Sequence, residues 1–300
     1  MMSITVLGCS ASSPTPDRGL PSIAVQIGGD VLLLDCGEGT QRQMMRFGVS
    51  YSKVKAIFIS HLHLDHFLGV FGLIETLRLN GREAPVELFG PQGSKSVFGQ
   101  NPMLRVHELS HAQTSHAQKQ PEIIFEIPGH EVFSFPVSHG PKAAAFGFVV
   151  QQKPYLRFHE AKAKKAGLKG PMFGEIQQKG SLQIGKKTVK LEGITYTQEG
   201  KKIAYSGDTV PCASLTHAAA DCDLLIHEAS FHSDLQKEAD EKFHSTAAGA
   251  GLTAKQAGAK ALLLTHISGR YADPAPLVQE AKKEFSGIVI AAKDGLKIEI

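Results

Sequence analysis

Short apolar runs bounded by glycine, proline and polar turns recur along this chain, and their spacing predicts a mixed α/β protein. Residues 4–7, 23–27 and 31–34 predict three strands near the N-terminus. A Ser/Pro-rich stretch over 10–21 separates the first two; it is long for a hairpin, and long loops without structure of their own are often functional. Residues 40–47 have helical character, with Met44, Met45 and Phe47 expected against the core. Residues 56–59 predict a further strand, and the apolar run beginning at Phe67 predicts a helix over 67–79 that Asn80-Gly81 ends. Residues 86–89 predict the next strand, followed by a turn at Gly90-Pro91 and a short helix near 94–99. Residues 101–121 carry no clear period. His107, His111 and His116 fall there, and with no apolar strand to hold them they are expected at the surface.

One stretch concentrates chemistry. His61, His63, Asp65 and His66 lie between the strand at 56–59 and the helix that follows. Imidazole and carboxylate together suit Zn²⁺ or a similar first-row metal. The two-residue spacing lets His61 and His63 point toward one ion, with Asp65 and His66 one step further along to hold a second. Three later runs repeat the order of strand, then ligand: 131–137 before His139, 202–205 before Asp208, and 261–264 before His266. A lone histidine after a strand is more often a hydrogen-bonded core residue, but four such placements in one chain are hard to attribute to chance. Sites in α/β architectures form at the carboxyl ends of strands, so the four are expected to converge.

Composition narrows the class without naming a chemistry. Three hundred residues, 42% hydrophobic and 20% charged, suit a globular chain expected to form a single domain over 1–300. No apolar run approaches the ~20 residues of a membrane span. The start, Met1 to Gly8, lacks a basic leader and reads as a strand, so a cytoplasmic location is expected. Cys9, Cys36, Cys212 and Cys222 are widely spread, with no CxxC pair, and are expected to be reduced thiols. The net charge of +3 hides an asymmetry. Residues 151–202 hold twelve Lys or Arg against four Glu, or +8, which leaves 20 basic and 25 acidic groups, or −5, elsewhere. A basic segment on an acidic body points to a polyanionic partner more than to a solvated loop.

Taken together, His61-x-His63-x-Asp65-His66 and the later His139, Asp208 and His266 resemble the metallo-β-lactamase superfamily. The resemblance covers nearly the whole chain and implies an α/β fold, the αββα sandwich of that superfamily, with a two-metal site between its halves. Further motifs are similar to those of the ribonuclease Z family, the endonucleases that mature the 3′ end of transfer RNA. These are Asp35-Cys36-Gly37-Glu38-Gly39-Thr40-Gln41, Ser206-Gly207-Asp208-Thr209, His227-Glu228-Ala229, His244-Ser245-Thr246 and Leu264-Thr265-His266-Ile267-Ser268-x-Arg270-Tyr271. The insertion with Gly170-Pro171 and Lys179-Gly180 resembles that family's protruding transfer-RNA-binding arm, expected here over 151–190.

The resemblance implies a ligand set. His61, His63 and His139 would hold one zinc, and Asp65, His66 and His266 a second, with Asp208 bridging; Mn²⁺ or Co²⁺ would suit the same ligands. A carboxylate suits the bridge because it has two oxygens where a neutral imidazole offers one lone pair. Two metals ~3.5–4 Å apart can clamp a phosphate during in-line displacement. Asp65 would also take the proton of the attacking water, His244 would protonate the leaving oxygen, and Glu228 would orient the His244 ring. Arg270 is a candidate phosphate contact, weighed against a plain exposed arginine. The implied reaction hydrolyses a phosphodiester of precursor transfer RNA, leaving a 3′-hydroxyl on the transfer RNA and a 5′-phosphate on the trailer.

Residues 155–166 predict a basic helix ended by Gly167, with Gly170 and Pro171 just beyond. Lys162, Lys164 and Lys165 on it are expected to contact phosphates rather than read bases, which suits a substrate class sharing one shape. The resemblance also suggests a homodimer in which one subunit's arm serves the other's site. One departure is visible. Family members inhibited by a mature CCA end often carry a Pro-x-Lys-x-Arg-Asn-like loop, whereas Pro14-Thr15-Pro16-Asp17-Arg18-Gly19 keeps Arg18 and lacks the Lys and Asn. Two other functions fit part of the pattern. A hydrolase of small phosphodiesters or cyclic nucleotides would share the metals without needing the basic arm. A non-catalytic RNA-binding protein with a structural metal would not need Asp65, His244 and Glu228.

Overall fold

The computed structural model describes residues 2–110, 121–141 and 144–300, so His111 and His116 lie outside the described residues. The chain divides into two compact units. The larger comprises Met1–Ile127, Glu131–Gln151 and Lys201–Ile300, and the smaller Pro128–His130 and Gln152–Gly200.

In the larger unit, β1 (Met2–Gly8), β2 (Ser22–Ile27) and β3 (Asp30–Leu34) are antiparallel neighbours. The sheet then turns parallel through β4 (Val54–Phe58), β5 (Val86–Pro91) and β6 (Leu104–Leu109). Helices α1 (Thr40–Phe47), α2 (Leu64–Phe67), α3 (Gly69–Leu79) and α4 (Ser94–Phe98) lie in the connections. A second sheet begins with β7 (Glu122–Ile127), β8 (His130–Val137) and β9 (Ala145–Gln152). The chain then enters the smaller unit: β10 (Tyr155–Phe158), α5 (Glu160–Lys165), α6 (Met172–Lys179), β11 (Ser181–Ile184), β12 (Lys187–Lys190) and β13 (Thr195–Gln198). It returns at β14 (Lys202–Tyr205), and α7 (Ala213–Ala218), β15 (Leu224–Glu228), α8 (Gln236–Glu241) and α9 (Ala247–Ala257) follow. The last elements are β16 (Ala261–Thr265), α10 (Ala275–Glu284), β17 (Ile288–Ala291) and β18 (Lys297–Glu299). Each large sheet has seven strands, in the orders β18-β1-β2-β3-β4-β5-β6 and β17-β16-β15-β14-β9-β8-β7.

Strand alternation builds the layers. In β4, Ala56 and Phe58 join a core shared with Phe146, Phe148, Tyr205 and Ile226 of the other sheet, while Ile57 packs outward with Val70, Leu73 and Leu77 of α3. In β16, Leu263 faces the shared core and Leu262 and Leu264 face Ala250 and Ala254 of α9. Helix, sheet, sheet, helix is therefore the order of layers in this unit, because central strands such as β4 and β16 are apolar on both faces and each face needs cover. Among the described residues no helix is long and apolar enough to cross a membrane.

Several elements differ from the sequence expectation. The helix expected over 67–79 is two pieces broken at Leu68. The Gly69 N–H bonds the Cys36 carbonyl at 2.9 Å, and a Cβ at Gly69 would lie 2.0 Å from the Gly37 oxygen. The break thus lets the loop after β3 cross the helix closely, which only glycine permits. Met44 is buried, but Met45 is half exposed, since adjacent helical positions lie about 100° apart and cannot share one face. His107 sits on β6, part of the stretch that carried no period, with its ring stacked on Phe89 and 2.6 Å from the Glu87 carboxylate. Residues 155–158 are strand, not helix: β10 pairs antiparallel with β13, aromatic residues at 155 and 158 favour the extended form, and α5 starts only at Glu160. The smaller unit closes on its own core of Ala163, Leu168, Ile176 and Ile194, with β11 and β12 as a hairpin. It runs on to Gly200 because β13 returns to pair with β10.

Candidate metal centre and active site

Five strand ends and one helix start supply the site. β4 leads to Ser60 and His61, and α2 carries Asp65 and His66 with His63 as its N-cap. His139 follows β8, Asp208 follows β14, Glu228 ends β15 and His266 follows β16. All seven expected ligands come together. The ligating atoms of His61, His63 and His139 form one group within 4.8 Å of one another, and those of Asp65, His66 and His266 form another. His61 Nε2 is 2.9 Å from His63 Nδ1, which is 3.3 Å from His139 Nε2. Asp208 Oδ2 lies 3.6 Å from His61 Nε2, 3.3 Å from His66 Nε2 and 3.4 Å from His266 Nε2, so it faces both groups. Asp65 Oδ2 is 3.6 Å from His66 Nε2 and 3.5 Å from His266 Nε2. Ligand atoms about 3.3 Å apart are what tetrahedral zinc bonds of ~2.0–2.1 Å produce.

The hydrogen bonds behind these rings fix which nitrogen points inward. His139 Nδ1 donates to the Phe243 carbonyl at 2.9 Å, and His66 Nδ1 to the Asp35 carboxylate at 2.8 Å. Ser60 Oγ gives its proton to Asp35 at 2.9 Å and so accepts from His61 Nδ1 at 3.0 Å. Ser230 Oγ gives its proton to Glu228 at 2.7 Å and so accepts from His266 Nδ1 at 2.8 Å. Each Nδ1 is therefore the donor, the Nε2 atoms of His61, His66 and His266 turn toward Asp208, and that of His139 turns toward His63. His66 Nε2, His266 Nε2 and Asp208 Oδ1 are buried with no hydrogen-bond partner among the described residues, as metal-ligand atoms would be. The residues present fit a divalent metal.

Electrostatics agree. Burial would lower the His66 pKa, but Asp208 and Asp35 outweigh it and hold it well above the usual imidazole value. Burial lowers His61 well below that value, with His66 adding to the effect. Asp208 stays well below the carboxylate range despite burial, through His266 and His66. Burial would likewise raise Asp65, but the neighbouring His266 and His66 bring it down to about 2. Ionised carboxylates set among desolvated imidazoles make a site that favours positive charge at its centre.

His244 stands beside this cluster without being needed by it. Its Nδ1 is 2.8 Å from Glu228 Oε1 and 4.0 Å from Asp208 Oδ2, which leaves Nε2 free to act. Burial would lower its pKa, but the Glu228 carboxylate, with help from Asp208, pushes it up to about 9. Glu228 is itself buried and held by the Thr209 N–H at 2.9 Å and by Ser230. Thr246 caps α9 by accepting from the Gly249 N–H, so the residues after His244 are anchored as the Ser-Thr pair suggested.

The remaining candidates are not part of this cluster. Arg270 lines a cavity of about 330 Å³ together with His244, Phe231 and Lys242. Arg18 is buried instead of open to a substrate: its guanidinium donates to the Tyr271 carbonyl and braces the 10–21 loop. Lys162, Lys164 and Lys165 are exposed on α5 of the smaller unit, Lys164 lying 3.5 Å from Glu160. Gly170 has φ 48°, and Pro171 is the N-cap of α6.

Sequence reasoning missed two positioning groups. Asp35 is fully buried at φ 57° and accepts from the Ser60 N–H at 2.7 Å, Ser60 Oγ, His66 Nδ1 and the Tyr205 hydroxyl at 2.6 Å. Its signal was present, a lone Asp ending an apolar strand. Ser230, which ties Glu228 to His266, had no comparable signal. Asp35→Asn is expected to put an amide N–H against at least one of these donors, lowering metal affinity by about 10–100-fold with the fold retained. Metal titration followed by competition with a chromogenic chelator measures this, and unchanged affinity would exclude the positioning role.

Comparison with known proteins decides the family. The model of the metallo-β-lactamase superfamily matches residues 17–244. A ribonuclease Z from Myxococcus xanthus is 39% identical over 305 aligned positions, covering 100% of this chain and 98% of that protein. A second ribonuclease Z, from Methanosarcina acetivorans, is 36% identical with the same coverage. This chain belongs to the ribonuclease Z family. The solved structure of human tRNase Z, short form, superposes with a TM-score of 0.71 at 28% identity, covering 99% of each chain. In this ribonuclease Z family member the seven expected ligands, His244 and Glu228 all come together in one place.

Proposed function

We infer that this chain is a metal-dependent endoribonuclease that removes the 3′ trailer from precursor transfer RNA. The observation that carries the chemistry is a set of histidines held from behind at Nδ1, three of which turn Nε2 to within 3.6 Å of Asp208. His61, His63 and His139 would hold one zinc ion and Asp65, His66 and His266 a second, with Asp208 facing both groups; such ions would supply polarisation of the scissile phosphate and acidification of water. Asp65 takes the proton of the attacking water, held in place by the Ser12 N–H at 3.0 Å on the same oxygen. The new bond forms between water oxygen and phosphorus, and the bond from phosphorus to the 3′-oxygen breaks. His244 gives its proton to that leaving oxygen, and Glu228 keeps its ring oriented. The products are a 3′-hydroxyl and a 5′-phosphate.

The smaller unit supplies the grip on RNA. Its lysines on α5 are exposed around one buried alanine, an arrangement for phosphate contacts and not for base readout. Replacing Lys162, Lys164 and Lys165 together by alanine is expected to raise KM for precursor about tenfold at 0.1 M salt and to flatten its dependence on salt, while a small chromogenic phosphodiester is turned over as before. Equal losses on both substrates would assign these residues to folding. The same reading includes work in the cytoplasm and a homodimer. Leu64, Leu68 and Phe71 are exposed at spacings of four and three, one apolar stripe suited to a second copy, and sedimentation velocity measures the state directly.

One assay tests the function as a whole. Precursor transfer RNA and a chromogenic phosphodiester are offered to one preparation with and without chelator. Trailer release that chelation abolishes is expected. Turnover of the chromogenic ester alone would leave a small-phosphodiester hydrolase, and RNA binding without either cleavage a non-catalytic binder.

A further inference from the structure

The cavity beside His244 has a charge arrangement that the chemistry above does not use. Its rim includes two cations, Arg270 and Lys242, and both are engaged by one carboxylate. Arg270 Nη1 and Nη2 donate to Glu238 Oε2 and Oε1 at 3.0 and 2.9 Å, and Lys242 Nζ donates to Oε1 at 2.8 Å. Arg270 Nε donates to Ser268 Oγ at 3.2 Å, and both cations lie over the Phe231 ring, at 5.1 and 5.7 Å from its centroid. The ring itself is buried, so it anchors the two cations and is not free to stack on a base.

This geometry copies a phosphate complex. The two-pronged edge of a guanidinium takes two oxygens of a carboxylate or two of a phosphate with the same spacing, and not both at once. The triad of Glu238, Arg270 and Lys242 carries +1, against +2 without the glutamate. Glu238 is part exposed, and its two partners hold its carboxyl down at about 2, so it is ionised at any physiological pH. We propose that Glu238 is an internal counter-anion: in the free protein it occupies the phosphate-binding edge of Arg270 and Lys242, and a phosphate of the RNA adjacent to the scissile bond displaces it on binding. Such competition weakens the hold on any single phosphate, so that a substrate must bring contacts elsewhere to be retained. This rests on the reading of the site as one for RNA, and concerns how that site selects for substrate.

Glu238→Gln tests it. With precursor transfer RNA, KM is expected to fall about three- to tenfold at 0.05 M salt with kcat unchanged, and the plot of log KM against log salt to steepen by about 0.7–0.9, the increment for one unit of positive charge that the displaced carboxylate no longer offsets. The change should vanish in an Arg270→Ala background. If Glu238 only staples α8 to the 268–270 turn, KM rises or the slope stays put, and the proposal falls. Because the side chain is partly exposed, the thermal midpoint is expected to hold, which separates this effect from misfolding. A second measurement does not depend on RNA cleavage. Inorganic pyrophosphate is titrated into the protein as purified while the Arg270 Nε–Hε resonance is followed. Tighter binding by Glu238→Gln than by the original protein supports displacement even if trailer removal proves absent, and no shift of that resonance in either protein excludes the subsite.

Discussion

Asp208→Ala is expected to lose most bound metal from both groups of ligands and, with it, hydrolysis of every phosphodiester. The reason is its position. Asp208 Oδ2 is within 3.3–3.6 Å of imidazole nitrogens belonging to each group, whereas Asp65 reaches only His66 and His266. Removing it leaves the two groups without the one carboxylate that faces both, Asp65 remaining against His66 and His266 only. The loss of affinity should exceed the roughly 10–100-fold expected of a partner that only orients a ligand, such as Asp35. Elemental analysis of protein dialysed at fixed free zinc reads the outcome. Two ions retained per chain would show that Asp208 bridges nothing, and loss from one group alone would assign it to that group. Asp208→Asn serves as a companion, since it keeps the volume of a buried residue while removing the charge.

The contrast between Asp208 and Asp35 also shows what the sequence exposes and what it hides. His61, His63, Asp65 and His66 were legible because they stand close together after an apolar strand. His139, Asp208 and His266 were legible because each follows a run with strand period, and the sheets then bring the runs side by side. Asp35 acts on His66 from 31 positions away and on Tyr205 from 170 away, through hydrogen bonds that no local pattern encodes. Ser230 reaches His266 over 36 positions in the same way. The partners of two arginines were equally hidden: Arg18 is bound by the Tyr271 carbonyl, and Arg270 by Glu238, which lies 32 residues earlier. Local propensity misled at residues 155–158: the lysines that follow are strong helix formers, but pairing with a strand forty residues on decided the matter. Backbone strain was equally invisible. Asp35, Phe243 and His266 all have positive φ, at about 1–3 kcal/mol each, and all three touch the site. Phe243 in that conformation presents its carbonyl to His139 and leads directly into His244.

His244, so placed, is the source of the second large effect. His244→Ala is expected to keep the metal content of the original protein and to lower kcat on precursor transfer RNA by about 10²–10⁴-fold, the usual worth of a positioned general acid. Its ring lies next to the ligands, yet its Nδ1 is committed to Glu228, so ligation does not depend on it. The 3′-oxygen of RNA is a poor leaving group and needs a proton as the bond to phosphorus breaks. A nitrophenolate does not. The same variant should therefore be far less impaired on a nitrophenyl phosphodiester, and the ratio of the two losses measures the proton's contribution. Glu228→Gln should reproduce the pattern in weaker form, because the amide can still accept from the Thr209 N–H but no longer raises the basicity of the ring. If His244→Ala loses both substrates equally while binding metal normally, the residue holds the phosphate and does not protonate the leaving oxygen. If it loses metal, the group formed by Glu228, His244 and His266 is a ligand set in its own right, and the acid must be sought among the other residues lining the cavity.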